Sequence, residues 1–262
     1  MSIETDRMDA VIELAHTGGR EVMRYFRGDA GVVAKEAGNL VSRADLASEE
    51  AILDRIRAWF PNDAIMSEES LSSTVEADHL WIVDPLDGTN NFAHGLPSFA
   101  VSVAYWDHGR PSCGAVLNPV LGELFTGARG RGASCNGRPI RVSSASSIDQ
   151  CLVATGFYYD RGDAMRDTLG HSERLFEAGI HGIRRFGSAS LDLCAVASGC
   201  YGAFFEHHLS PWDFAAGMLV VEEAGGRVTT YDDHPLGTKA STVLATNAHL
   251  HADMVHRLGQ RR

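Results

Sequence analysis

Three features of this 262-residue chain predict a layered fold mixing antiparallel sheet with α/β units. Apolar residues recur at helical spacing near both ends. The middle, from Leu80 to Phe125, reads as short strands separated by turn residues. Beyond residue 150, strand and helix patterns alternate.

Asp6–Phe26 places Val11, Ala15, Val22 and Phe26 on one helical face, with Gly18-Gly19 as its weak point. Gly28–Arg43 is polar and glycine-containing and reads as a hairpin or mobile loop. Leu46–Phe60 returns to helical spacing through Ile52, Leu53, Ile56 and Phe60, with Asp45 at its start and Pro61 as its stop. Leu80–Val83 is a strand ending at Asp84, and Phe99–Trp106 alternates through Val101, Val103 and Tyr105 as a sheet strand does. Ala115–Leu117 and Glu123–Phe125, parted by Asn118-Pro119, extend the same sheet. A strand at Leu152–Ala154 and helices at Ala164–Ala178 and Ser190–Ser198 follow. Next come a strand at Gly202–Phe205 and an apolar helix at Trp212–Ala224, closed by Gly225-Gly226. Val243–Ala245 is the last strand and Leu250–Leu258 the last helix. A soft boundary near residues 140–150 divides an N-terminal half, 1–145, from a C-terminal half, 146–262, within one compact unit.

Composition narrows the function. At 44% hydrophobic and 22% charged residues, the chain is an ordinary globular protein and not a disordered one. Its formal charge of −11, from 23 Lys+Arg against 34 Asp+Glu, argues against nucleic-acid binding. A chain this acidic that handles a phosphorylated substrate must bring in positive charge, most simply as metal ions. No basic segment leads into an apolar one at the start, and no run is long enough to span a bilayer. The five cysteines are scattered and never form a Cys-x-x-Cys pair, which suits reduced thiols. A cytoplasmic protein without membrane contact is the expectation.

Four groups of carboxylates sit where strands end or helices begin: Asp45, Glu68-Glu69, Asp84 with Asp87, and Asp213. In Asp84-Pro85-Leu86-Asp87-Gly88-Thr89, two carboxylates three residues apart can point into one pocket, with Pro85 fixing the turn. Hard oxygen ligands of this kind suit Mg²⁺, and Gly88 and Thr89 would offer backbone N–H groups to a phosphate. The same residues also suit an N-cap and turn.

The stretch Trp81–His94, built around that hexapeptide, resembles the first signature of the inositol monophosphatase family. Trp212-Asp213-Phe214-Ala215-Ala216-Gly217, running on to Gly225-Gly226, resembles its second. Glu68-Glu69-Ser70 and Arg184-Arg185-Phe186-Gly187-Ser188-Ala189 fit the segments between. Arg129–Ala133 looks most like the bacterial branch. The resemblance implies a five-layered αβαβα sandwich, shared with fructose-1,6-bisphosphatases, and a lithium-sensitive phosphomonoesterase with two to three Mg²⁺ ions, usually a homodimer. It implies that Glu68, Asp84 and the Leu86 carbonyl hold one ion and that Asp84, Asp87 and Asp213 hold a second. A third, weaker ion would sit near Glu68. Asp45 and Thr89, with Glu68, would orient and activate the attacking water. Leu86, Asp87, Gly88 and Thr89 would line the phosphate, and Arg184, Gly187, Ser188, Ala189, Glu206 and Asp213 the alcohol. Every implied metal ligand is present. Asn39 departs from the acid or hydroxyl residue common in the Lys35–Asn39 segment, which bears on the weakest metal site and on lithium sensitivity.

Other features have plainer readings. His207-His208 beside Glu206 suggests zinc, but the 12 histidines lack metal-ligand spacing and a surface or supporting role is favoured. Gly130-x-Gly132 reads as a turn between strands, and Trp212 either shields Asp213 or is ordinary core. Hydrolysis of inositol 1-phosphate, a small phosphorylated polyol, is the leading function. The alternatives are the same chemistry on fructose 1,6-bisphosphate, histidinol phosphate or a 3′-phosphoadenosine nucleotide, and a partner-binding regulatory protein.

Overall fold

Which elements are buried on both faces and which on one sets the architecture. The computed structural model describes residues 6–28, 31, 33–36, 39–70, 77–158 and 161–259. Helix α1 (Arg7–Tyr25) is capped by Asp6, whose side chain accepts from the Met8 N–H. A hairpin of β1 (Val33–Glu36) and β2 (Asn39–Val41) leads into α2 (Arg43–Trp59). Next come β3 (Ala64–Ser67), β4 (His79–Asp87), the short helix α3 (Thr89–Ala93), β5 (Ala100–Asp107) and β6 (Arg110–Asn118). They are followed by β7 (Glu123–Ala128), β8 (Gly132–Cys135) and β9 (Arg138–Pro139). These seven strands, β3 to β9, form one sheet in sequence order, antiparallel except for β3 with β4. The second half contributes β10 (Leu152–Thr155), α4 (Asp163–Glu177), β11 (Gly182–Arg184), α5 (Ala189–Ala197) and β12 (Ala203–Leu209). It ends with α6 (Pro211–Glu223), β13 (Arg227–Thr229), β14 (Ser241–Thr246) and α7 (His251–Gly259). Its five strands order as β11-β10-β12-β14-β13.

Strict alternation along the strands explains the layers. On the seven-stranded sheet, Trp81, Val83, Val101 and Val103 pack against Val11, Leu14, Ile52 and Ile56 of α1 and α2. Their neighbours Leu80, Ile82, Ala104 and Val116 face the other way, onto Leu193 of α5 and Phe214 and Met218 of α6. The five-stranded sheet does the same: Phe204 and Val243 face α5 and α6, while Val153, Phe205 and Leu244 meet Leu175 of α4 and Met254 of α7. The result is the expected αβαβα sandwich. Both faces of both sheets are dry, so Leu80–Val83 reads as a continuous apolar run. Helices α5 and α6 lie between two sheets and are apolar all round for the same reason.

Three local expectations need correction. The Gly18-Gly19 pair does not weaken α1, which runs through it unbroken. A Cβ on Gly18 would fall 2.6 Å from Ser48 Oγ and 2.7 Å from Ile52 Cδ1, and one on Gly19 would fall 2.8 Å from Leu117 Cδ2, so the pair lets α1 lie close against α2 and β6. Strand β4 does not end at Val83 but continues to Asp87. The strands β8, β9, β11 and β13 were not anticipated, being two to four residues long with too little alternation to register. The Lys35–Asn39 segment lies in the β1–β2 hairpin region, and the Asn39 side chain is outside the described residues.

Helix α6 lies flush on the sheet because Gly114 and Gly127, directly paired across β6 and β7, leave room for its backbone. A Cβ at Gly114 would meet Ala216 Cα at 3.0 Å, and one at Gly127 would meet Val220 Cα at 3.1 Å. Gly127→Val should therefore lift α6 and lower stability by about 1–3 kcal/mol. A denaturant midpoint equal to the unsubstituted protein's would refute this packing argument.

Candidate active site

A bulge brings the first two acids together. Residues three apart on a regular strand point to opposite faces. On β4 the ladder shifts, with Asp84 opposite Ser102 and Asp87 opposite Ala100, so one extra residue is inserted. That insertion returns Asp84 and Asp87 to the same side. Asp84 is 1% exposed, and its Oδ1 accepts from the Leu86 N–H at 3.0 Å. Gly88 then turns the chain with φ 92°, a value costly for any residue with a Cβ, and opens α3.

Helix N-termini hold the other carboxylates. Asp45 is the third residue of α2, where its Oδ2 accepts from the Ser42 N–H (2.8 Å) in a capping box. Its Oδ1 accepts from Thr89 Oγ1 at 2.9 Å. Asp213 is the third residue of α6, and its Oδ2 accepts from the Ser210 N–H at 2.7 Å. Asp87 caps a helix it does not belong to. At the head of α5 it accepts from the N–H groups of Ala189 (3.3 Å) and Ser190 (2.8 Å) and from Ser188 Oγ (2.6 Å). Glu68 stands just after β3, its N–H bonded to the Val83 carbonyl.

These segments enclose a pocket of about 250 Å³. Glu68, Asp84, Leu86, Asp87, Gly88, Thr89, Gly187, Ala189, Glu206 and Asp213 all line it, as the sequence reading expected. Asp45 lies behind Thr89, fully buried, and Ser188 lies behind Asp87. Arg184 is a correction. It ends the edge strand β11, is exposed, and donates to its own neighbour's carbonyl at Ile183. The pocket wall instead carries Arg185, whose Nη1 would lie 2.7 Å from a Cβ on Gly187. An irregular stretch after β11 turns Arg185, not Arg184, toward the site. His208, with φ 55°, and Trp212 also line the pocket, whereas His207 packs with His171 and Tyr231 beneath α4. Glu49, one turn after Asp45 on α2, was missed. It lies four residues after Asp45 on the same helix face, but its burial against residues 67–70 is not legible in the local pattern. A roomier hollow beside α4 and α7, about 590 Å³, is lined by Arg174 and by Arg257, which pairs with Asp253, and contains no fully buried carboxylate among the described residues.

The site is electrostatically strained. Burial, followed by repulsion from Glu68, Asp87 and Asp213, pushes the Asp84 carboxyl well above its ordinary range. Burial also raises Asp213 and Asp87, opposed in Asp87 by the Ser188 and Ser190 hydrogen bonds. Glu206 is pushed up to about 8 by burial and by Asp87, with Arg185 opposing. Parts of Asp213 and Glu206 face the open pocket, but the surrounding protein removes most of their water. Arg185 is the single Lys or Arg among the described residues lining the pocket. Clustered hard oxygens short of positive charge fit a divalent cation. Among the described residues no three acid, His or Cys side chains already close around a common point. Asp84, Asp87 and Asp213 also accept from backbone N–H groups, which leaves further lone pairs on each carboxylate.

Glu206 yields a pH prediction. Between its ordinary value of 4.5 and about 8, the native state holds a proton that the unfolded chain has released. Stability without divalent cations should therefore fall as pH rises through this window, and Glu206→Gln should flatten that fall. Thermal midpoints measured across the window test this, and an unchanged slope in the variant refutes it.

Comparison with known proteins places the chain. Residues 4–261 match the inositol monophosphatase family. The chain is 47% identical over 232 residues to the Nus factor SuhB of Pseudomonas aeruginosa, covering 86% of this chain and 85% of that one. It is 36% identical over 252 residues to the fructose-1,6-bisphosphatase/inositol-1-monophosphatase of Thermotoga maritima, covering 95% and 94%. The solved inositol monophosphatase of Anabaena superposes with a TM-score of 0.86 at 38% identity, covering 97% of this chain and 96% of that one. No helix among the described residues is long and apolar enough to cross a membrane. The whole-chain match, the layered fold and the convergent acids together make this chain a member of the inositol monophosphatase family, and its enzyme class that of a phosphatase.

Proposed function

We propose that the chain is a Mg²⁺-dependent phosphomonoesterase that hydrolyses inositol 1-phosphate to inositol and phosphate. One observation carries the reading: Glu68, Asp84, Asp87 and Asp213 converge from three segments on one recessed pocket beside Gly88 and Thr89. Glu68, Asp84 and the Leu86 carbonyl would hold one ion, and Asp84, Asp87 and Asp213 a second, with a third near Glu68. Bound there, Mg²⁺ supplies positive charge against the phosphate dianion and acidifies a water molecule. The chain's own groups do the rest. Thr89 Oγ1 donates to Asp45 and leaves its lone pairs to accept from the attacking water, so the pair aims that water at phosphorus in line with the leaving oxygen. Burial raises the Asp45 carboxyl, though the Ser42 and Thr89 hydrogen bonds oppose the rise, and a raised value suits a group that receives a proton. The Gly88 and Thr89 amides hold phosphate oxygens. Gly187, Ala189 and Glu206 receive the alcohol.

A pocket of about 250 Å³ supports a small ester over an adenosine nucleotide. Homodimer formation, a cytoplasmic location, lithium sensitivity and the 1–145 and 146–262 halves belong to the same proposal. The regulatory reading, raised again by the relative named a Nus factor, is separated from catalysis by whether a site-dead chain performs the biological role.

A second reading, a sugar bisphosphate, is favoured by Arg185. Its guanidinium lines the alcohol end and makes no ion pair or hydrogen bond among the described residues. It would meet a second anionic group there, and the Thermotoga relative is named for such an activity.

Phosphate release from inositol 1-phosphate, with and without Mg²⁺, tests the first reading. Asp84→Asn should lose more than the roughly 10–100-fold expected when only the surroundings of a metal site change. Full activity without Mg²⁺ or in the variant would end the proposal. For the second reading, Arg185→Ala should lower kcat/KM on fructose 1,6-bisphosphate by roughly tenfold and on inositol 1-phosphate by less than about threefold. Equal losses on both esters would discard it.

A further inference from the structure

Glu49 makes an unusual set of bonds. It lies on α2 at 6% exposure, and its carboxylate is filled entirely by donors from residues 67–70. Oε1 accepts from Ser67 Oγ, the Glu69 N–H (3.2 Å) and the Ser70 N–H (3.1 Å), and Oε2 accepts from Ser70 Oγ at 2.5 Å. Four hydrogen bonds from three residues thus close around a turn whose remaining member is Glu68. The same face of α2 meets two more parts of the site. Ser48 Oγ donates to the Pro85 carbonyl (2.9 Å), and Asp45 accepts from Thr89.

We propose that Glu49 is a positioning residue that holds the Glu68 turn in register with Asp84 and so sets the affinity of the site for a divalent cation. The proposal rests on the phosphatase reading above. The physical need is clear from the charges: Glu68 repels both Asp84 and Asp213, and that repulsion tends to push its turn outward. Backbone pairing restrains the turn through the Glu68 N–H and the end of β3. The Glu49 carboxylate adds charge-assisted hydrogen bonds, which are about twice as strong as neutral ones. Its negative charge does not add to the strain at the pocket, because two hydroxyls and two N–H groups surround it. Helix α2 in this way acts as a straight template against which the Glu68 turn, the Pro85 carbonyl and Thr89 are all aligned.

Glu49→Gln preserves shape but turns an amide N–H₂ toward donors. Binding of Mn²⁺ alone, followed by calorimetry, should weaken roughly tenfold or more in Glu49→Gln, the range seen when groups supporting a metal ligand are changed. Ser70→Ala, at an exposed position that leaves the core intact, should weaken it in the same direction but less. The Mg²⁺ concentration for half-maximal hydrolysis should rise with it, while KM for inositol 1-phosphate at saturating Mg²⁺ moves less than about twofold. A double-mutant cycle decides whether Glu49 acts through Glu68: in a Glu68→Gln background, Glu49→Gln should cost almost nothing further. Unchanged Mn²⁺ binding in Glu49→Gln, or an undiminished effect in the Glu68→Gln background, overturns the proposal while leaving the phosphatase reading intact. Absence of Mn²⁺ binding by the unsubstituted chain removes both.

Discussion

Repulsion among buried carboxylates is the constraint on which the rest of the structure depends. Asp84, Asp87, Asp213 and Glu68 crowd one recess, and burial alone would drive their negative charge out of the protein. The fold answers with backbone N–H groups. Asp45 and Asp213 sit third in their helices, each accepting from its own N-cap residue, and Asp87 caps α5 from the neighbouring sheet. These three acids thereby meet the positive ends of helix dipoles, so three helices begin at the same place.

That requirement explains why α5 and α6 are buried between two sheets. A helix whose first turn must face a pocket is best fixed along its length by packing. Gly114 and Gly127 let the α6 backbone lie directly on β6 and β7, while Phe214 and Met218 fill the core between the sheets. The interior here is close-packed and tolerates little shift. An acid at the head of such a helix therefore has little freedom to drift. Stability and chemistry share the same contacts, and the Asp87–α5 cap also ties the N-terminal sheet to the C-terminal half.

The two ends of the pocket differ in kind. One is a cluster of acids made for positive charge; the other combines Glu206, raised toward neutrality, with the exposed guanidinium of Arg185. Asp192, buried on α5 and raised by burial and by Glu206, adds a second carboxyl behind this end. The only guanidinium lining the pocket among the described residues therefore stands at the end away from the Asp84–Asp87–Asp213 cluster.

Long elements were legible in the sequence because periodicity survives any packing. The α1, α2, α6 and β5 patterns, the acids at strand ends and helix starts, and the two signature stretches all follow from local residue order. The bulge in β4 was not legible, since a one-residue shift depends on how β5 pairs with it; it decides that Asp84 and Asp87 point the same way. Nor was the choice of Arg185 over Arg184, which turns on the backbone path after an edge strand. Gly18-Gly19 looked like a weakness because the partner it admits, α2, is distant in sequence. Glu49 was hidden because its donors, Ser67 to Ser70, lie some twenty residues away. By itself the sequence determined which residue types were available and which segments were helix or strand. Tertiary structure decided which carboxylates face one another, because like charges meet only where a packed core forces them together.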